Sequence, residues 1–189
     1  MGCPMRRLIY AINLTIDGCC DHTKVAADDE LLHFFTNLTR DAGPLLYGRI
    51  TYQLMVPYWP DIAKNPSGQT KADIEFAQAF DSAEKIVFSQ SLDKVEDKNS
   101  RIVRTKPEDE ILKLKQEEGK DLLLGGVALP SYLVKLGLVD EYIFVVQPIL
   151  AGEGRRLLEG GNLQEGLKLK LVKSETLKSG CVALRYLKQ

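Results

Sequence analysis

Three short stretches of the chain carry residue types suited to holding a phosphorylated ligand, and each follows an apolar run. In Leu46-Tyr47-Gly48-Arg49-Ile50-Thr51, a glycine lets a phosphate approach the backbone, while Arg49 and Thr51 add a charge and a hydroxyl. A helix starting there presents free N–H groups to an anion. Gly125-Gly126-Val127-Ala128 is a second place where backbone can touch a pyrophosphate. Phe88-Ser89-Gln90-Ser91 is a third, with hydroxyls and an amide that could hold a ribose phosphate. Each also has a plainer reading. A junction glycine commonly supplies only a tight turn, and Ser-x-Ser is a common polar turn. Three such stretches at the strand ends of one sheet favour a ligand site. No GxGxxG and no GxxxxGK[ST] occurs, so neither of those phosphate-binding loops applies.

The elements that must position these stretches follow from periodicity. Arg7 to Leu14 is an apolar run into Asp17-Gly18, a buried strand entering a turn. Asp28 to Arg40 is helical: Leu31, Phe34, Phe35 and Leu38 fall at i, i+3, i+4 and i+7, behind an acidic first turn. Leu45 to Tyr47 is a short strand. The Pro- and Gly-bearing stretch from Val56 to Thr70 reads as a long loop. A helix over Lys71 to Asp81, strands over Lys85 to Ser89 and Arg101 to Arg104, and a helix opened by Pro107 and ended by Gly119 come next. Asp121 to Leu124 is a strand, Val127 to Leu136 a helix, and Tyr142 to Gln147 a buried strand. In the tail, Leu167, Leu169 and Leu171, then Val182, Leu184 and Tyr186, alternate with other residues around Lys178-Ser179-Gly180. That is an antiparallel pair. The expected fold is α/β, one domain over 1–189, with a mostly parallel sheet covered by helices on both faces.

Bulk properties narrow the function. At 189 residues, with 44% hydrophobic and 27% charged content, the chain can bury a core of ordinary size. The net charge of −1 and the lack of a basic cluster argue against nucleic acid. No apolar run is long enough to span a membrane, and residues Met1 to Arg7 do not lead into a signal-like segment, so a cytoplasmic location is expected. Cys3, Cys19, Cys20 and Cys181 include no CxxC and read as reduced thiols. Cys19, Cys20 and His22 match no zinc spacing, so no metal is expected.

The succession YAINLTIDG, LLYGRITYQLM, KIVFSQSL, LLLGGVAL and VVQPILAGEG resembles the dihydrofolate reductase superfamily. It is similar in particular to stand-alone relatives of the C-terminal reductase domain of the riboflavin-biosynthesis deaminase-reductase. The resemblance covers nearly the whole chain and is carried most specifically by Gly48 to Tyr52 and by Gly125-Gly126. It implies a three-layer fold with NADPH across the strand ends. Gly48, Arg49 and Thr51 would then serve phosphates, and Ser89, Gln90 and Ser91 the adenosine end with its 2′-phosphate. Gly125, Gly126 and Val127 would face the pyrophosphate, and Ala11, Ile12 and Gly18 the nicotinamide side. The implied reaction is hydride transfer to a C=N or C=O carbon of a pteridine, ribosylaminopyrimidine or related small molecule. The cofactor carries the chemistry and the protein orients it.

Such a reduction needs an acid beside the acceptor atom. The resemblance points to a carboxylate on the first helix, and Glu30 is the candidate; Asp17 is the other. Acidic first turns are also routine without catalysis, and Asp-Gly is a common turn. Glu30, Phe34 and Asn37 share one helix edge. His33 lies nearly opposite the apolar stripe, solvated or facing substrate. Trp59, beside Tyr58, could be a lid over substrate, a cap on the core or a dimer contact. A homodimer is expected, with Tyr142 or the Leu138-Val139 region against the partner. A competing expectation is a non-catalytic NADPH-binding or redox-sensing protein that keeps the fold.

Overall fold

The computed structural model describes residues 5–24, 27–158, 163 and 166–189; Cys3 lies outside them. Eight strands form one sheet in the order β4-β3-β2-β5-β1-β6-β8-β7. β1 (Leu8–Thr15) is central, parallel to β5 (Leu122–Leu124) and to β6 (Glu141–Gln147). β2 (Leu45–Gly48), β3 (Lys85–Phe88) and β4 (Ser100–Val103) extend the parallel set. β8 (Val182–Lys188) runs antiparallel to β6 and carries β7 (Leu169–Thr176) outside it.

The layers follow from the two faces of β1. Leu8, Tyr10, Ile12 and Leu14 join the cluster under α5 (Pro107–Gln116) and α6 (Ala128–Lys135). Ile9 and Ala11 join the cluster under α1 (Asp29–Asp41) and α4 (Lys71–Ser82). Burial on both faces is why the central strand reads as a continuous apolar run. α1 starts where the Asp28 side chain accepts from the Leu31 N–H at 2.7 Å, and α4 starts with a Thr70/Asp73 capping box.

The expected loop over Val56 to Thr70 holds a helix instead, α3 (Trp59–Lys64). Proline is tolerated in a helix's first turn, and Pro60 and Ile62 are buried there. Trp59 packs edge-on against Phe76 of α4, ring centroids 4.5 Å apart, at the border of the core. It is therefore a half-buried packing residue carried on a helix. Tyr142 and Val139 are buried within the chain, while Leu138 is half-buried. The tail strand is longer than its apolar alternation indicates, running on through Lys173-Ser174-Glu175-Thr176 past a register shift.

No helix among the described residues is long and apolar enough to cross a membrane. Among the same residues no group of three or more His, Cys, Asp or Glu side chains is placed to hold a metal ion, and Cys19, Cys20 and Cys181 are free thiols.

Candidate functional site

The parallel strands β2, β3, β4 and β5 end side by side, and their ends open into a cleft of about 450 Å³. Such a crevice beyond the carboxyl ends is where an open α/β sheet takes a ligand. Gly48, Arg49 and Thr51 come from the β2–α2 junction, where α2 (Arg49–Met55) begins. Ser89 and Gln90 follow β3, while Gly125 and Val127 lie between β5 and α6. All three sequence-predicted stretches therefore meet at one place. Ile50, Phe88, Val103, Pro107 and Leu129 add apolar walls suited to a flat base.

The diglycine is sterically required. A Cβ on Gly125 would lie 2.7 Å from Tyr47 Cε1, and one on Gly126 would collide with Thr51 Oγ1. Gly126 also has φ +90°, a region that favours glycine. The Tyr10 hydroxyl donates to the Gly126 carbonyl at 2.9 Å and so holds this turn from below. Gly126 itself supports the cleft without lining it.

Helix starts at the cleft carry no side-chain cap. α2 and α6 have no side-chain N-cap, whereas α1 and α4, which begin elsewhere, are capped by Asp28 and Thr70. α3 and α5 are uncapped too. Backbone N–H groups at α2 and α6 remain for an anion. The cleft thus combines guanidinium, hydroxyl and backbone donors with apolar walls, a donor set that fits NADPH.

The loop after β3 is shaped by a residue that periodicity did not single out. Arg104 donates to the carbonyls of Gln90 (3.2 Å) and Leu92 (2.6 Å), while Gln90 Nε2 donates back to the Arg104 carbonyl. Ser89 Oγ accepts from the N–H groups of Ser91 and Leu92. Ser91 belongs to this turn and does not line the cleft.

The remaining predicted residues are dispersed. Ala11 and Ile12 are buried on opposite faces of mid-β1, and Gly18, φ +77°, makes the turn after it. Glu30 Oε2 accepts from the Ser179 N–H at 3.0 Å, joining α1 to the β7–β8 turn. His33 Nδ1 lies 3.4 Å from Glu75 Oε2 on α4. Phe34 and Asn37 line a smaller groove, about 260 Å³, with Lys173, Glu175 and Arg185.

Asp17 is a clamp. It accepts from Thr15 Oγ1 (2.5 Å) and from the N–H groups of Ala151 (3.1 Å) and Gly152 (2.8 Å). These bonds, the Thr15 hydroxyl first, hold its carboxyl well below the usual carboxylate range. So held, the carboxylate serves as a hydrogen-bond acceptor for the loop after β6. Arg155, in the loop that Asp17 grips, reaches the cleft. Only the Gly-x-Gly-Arg run at 152–155 hinted at it.

Comparison with known proteins matches this geometry. Residues 6–183 fit the family model of the RibD C-terminal domain. An uncharacterised protein of Bacillus subtilis (strain 168), YyaP, is 30% identical over 185 residues, 96% of this chain and 94% of the relative. The fold is shared with a putative riboflavin biosynthesis protein from Shewanella sp. PV-4, at a TM-score of 0.72 and 20% identity over 97% of this chain and 99% of that one. It is shared too with a diaminohydroxyphosphoribosylaminopyrimidine deaminase/5-amino-6-(5-phosphoribosylamino)uracil reductase from Thermotoga maritima, at a TM-score of 0.68 and 16% identity. There the match covers 98% of this chain but 57% of the larger protein. With its fold, strand-end cleft and nearly full-length family match in agreement, the chain belongs to the RibD C-terminal domain family.

Proposed function

We propose that this chain is an NADPH-dependent reductase acting on a pteridine, ribosylaminopyrimidine or related small molecule. Its nearest counterpart is the 5-amino-6-(5-phosphoribosylamino)uracil reductase reaction of riboflavin biosynthesis. The observation that carries the reading is the convergence of Gly48–Thr51, Ser89-Gln90 and Gly125–Val127 on one cleft. NADPH, when bound, supplies hydride to a C=N or C=O carbon, and the adjacent nitrogen or oxygen takes a proton. Arg49 and the α2 and α6 N–H groups hold phosphates, Ser89 and Gln90 the adenosine end. Ala11, Ile12 and Gly18 bound the nicotinamide side. With Asp17 held ionised, Glu30 is the candidate donor, and Phe34 and Asn37 share its helix edge towards substrate, with His33 and Trp59 farther out. The protein works in the cytoplasm as a homodimer.

One observation favours a second reading, a non-catalytic NADPH-binding or sensing protein: neither Glu30 nor Asp17 lines the cleft. The two readings part in a turnover assay. NADPH consumption is followed with ribosylaminopyrimidine, dihydropterin and dihydrofolate substrates. Reduction of the ribosylaminopyrimidine supports the leading reading. Tight NADPH binding with no substrate reduced moves the assignment to the sensor.

A further inference from the structure

We propose that β7, the open edge of the eight-stranded sheet, pairs antiparallel with β7 of a second copy about a two-fold axis through Ser174. The inference rests on the homodimer of the proposed function, names its contact strand, and does not depend on cofactor or substrate.

The backbone of β7 presents an ordered edge. β7 ends the strand order, with β8 on one side and no strand among the described residues on the other. Backbone groups of an antiparallel strand point alternately to its two sides. The Leu177 N–H donates to the Cys181 carbonyl at 2.8 Å, continuing the register that sets Thr176 opposite Val182 and Glu175 opposite Ala183. Leu177, Glu175 and Lys173 therefore turn their backbone groups to β8, while Ser174 and Thr176 turn theirs outward. Bonds at the other end of β8 agree. The Lys188 N–H donates to the Asp140 carbonyl on the β6 side, and the Gln189 N–H donates to the Lys168 carbonyl on the β7 side. Odd-numbered residues of β8 thus face β7, as Cys181, Ala183 and Arg185 must.

The side chains select the partner. Lys173 and Glu175 share one face of the strand, Nζ 2.8 Å from Oε2, and both are exposed. A two-fold through Ser174 brings its outward backbone groups against those of the partner's Ser174. The same axis sets Lys173 opposite the partner's Glu175, and Glu175 opposite the partner's Lys173. These are the close, non-hydrogen-bonded positions of the new ladder, where opposite charges attract and like charges repel. Such self-complementarity is what a symmetric contact between identical chains requires. An axis through Glu175 would oppose backbone groups already turned to β8, and one through Thr176 would set Lys173 and Glu175 opposite uncharged residues. Leu171 and Val172, both exposed, lose apolar surface to water-free contact in the pair. The register shift between Leu171 and Lys173 and the charges beside it guard the edge against unmatched strands. The strand that fits is therefore a second β7.

The test measures the dimer dissociation constant by sedimentation over a concentration series, with circular dichroism melts as the check on folding. The samples are the wild type, Lys173→Glu, Glu175→Lys, the Lys173→Glu/Glu175→Lys double variant and Ser174→Pro. Each single reversal opposes like charges twice in a symmetric dimer and should weaken it roughly tenfold. The double variant should recover wild-type affinity, and the two single variants mixed should pair with each other more tightly than either pairs with itself. Ser174→Pro removes an outward N–H that β8 does not use, so it should fold and stay monomeric where the wild type is dimeric. A wild-type dimer that none of these changes weakens overturns the inference and puts the homodimer on another surface. Losses in the single variants with no recovery in the double variant or the mixture overturn it too, because the charges then act without facing each other. A wild type that is monomeric at every concentration removes the inference and the homodimer together, while NADPH turnover judges the reductase reading separately.

Discussion

Asp17 Oδ2 accepts a hydrogen bond from the backbone N–H of Gly152 at 2.8 Å, tying the turn after β1 to the loop after β6. These two segments leave adjacent parallel strands, with Thr15 opposite Gln147 in register. The bond therefore links the segments that leave these two neighbouring strands. A residue with the address of a catalytic acid serves here as an acceptor between two loops.

Its titration gives the first prediction. An unfolded Asp titrates near about 3.9, and the folded value is lower. The stability Asp17 contributes is thus complete above about pH 4 and is lost as pH falls towards the folded value. Melting curves of the wild type and Asp17→Asn should be well separated at neutral pH and converge in acid. A separation that holds constant down to about pH 3 would show that the carboxylate charge is irrelevant.

The glycines of the cleft should differ sharply in what they tolerate. Gly126→Ala forces φ +90° on a residue with a Cβ and drives that Cβ into Thr51. A loss of about 1–3 kcal/mol in urea unfolding is expected, with weakened NADPH binding. Gly48 has φ −78°, and its nearest Cβ neighbour is Leu129 Cβ at 3.7 Å. Gly48→Ala should fold normally, so any fall in its NADPH affinity reports close approach of the ligand to the backbone.

A buried ion pair anchors the far side of the sheet. Lys85 Nζ lies 2.9 Å from Asp97 Oδ2, and both side chains are almost inaccessible to solvent. Lys85 also donates to the carbonyls of Phe80 and Ala83 at the end of α4. Burial alone would raise the Asp97 carboxyl, but the Lys85 ammonium and the Ser100 and Asn99 hydrogen bonds outweigh it, so the carboxyl is lowered. Asp97→Asn strands the ammonium and should cost about 3–5 kcal/mol of unfolding free energy. Lys85→Met/Asp97→Leu should cost less than Asp97→Asn alone, because it removes both charges.

The proposed acid is tested by Glu30→Gln. The amide oxygen still accepts from the Ser179 N–H, so the fold and NADPH affinity should persist while turnover drops. Undiminished turnover would leave Glu30 as a tie between α1 and the β7–β8 turn.

Much of this architecture was legible because buried parallel strands must be apolar on both faces, as Leu8 to Leu14 are. The junction stretches were legible for a related reason: glycine and hydroxyl residues stand out at the ends of such runs. Less visible was anything that depends on a distant partner. Trp59 and Pro60 look like loop residues until Phe76 supplies the surface that makes α3 worthwhile. Lys85 opens the apolar strand β3 and Asp97 lies in an irregular polar segment, so neither has a local feature that marks the buried pair. Arg155 was obscured similarly, since its place depends on Asp17 and Gly154 fixing a loop without periodicity.

Arg49 tests how the cleft reads a phosphate. Arg49→Ala should weaken NADPH more than NADH if the guanidinium meets the 2′-phosphate, and weaken both alike if it meets the diphosphate.

The most direct test of the central claim is a thermal melt of the wild-type protein with NADPH, with NADH and with neither. A ligand at about 100 times its dissociation constant adds roughly 2.7 kcal/mol, a shift of a few degrees for a domain of this size. The account predicts a clear upward shift with NADPH that exceeds the shift with NADH. The same melting temperature in all three samples would contradict it.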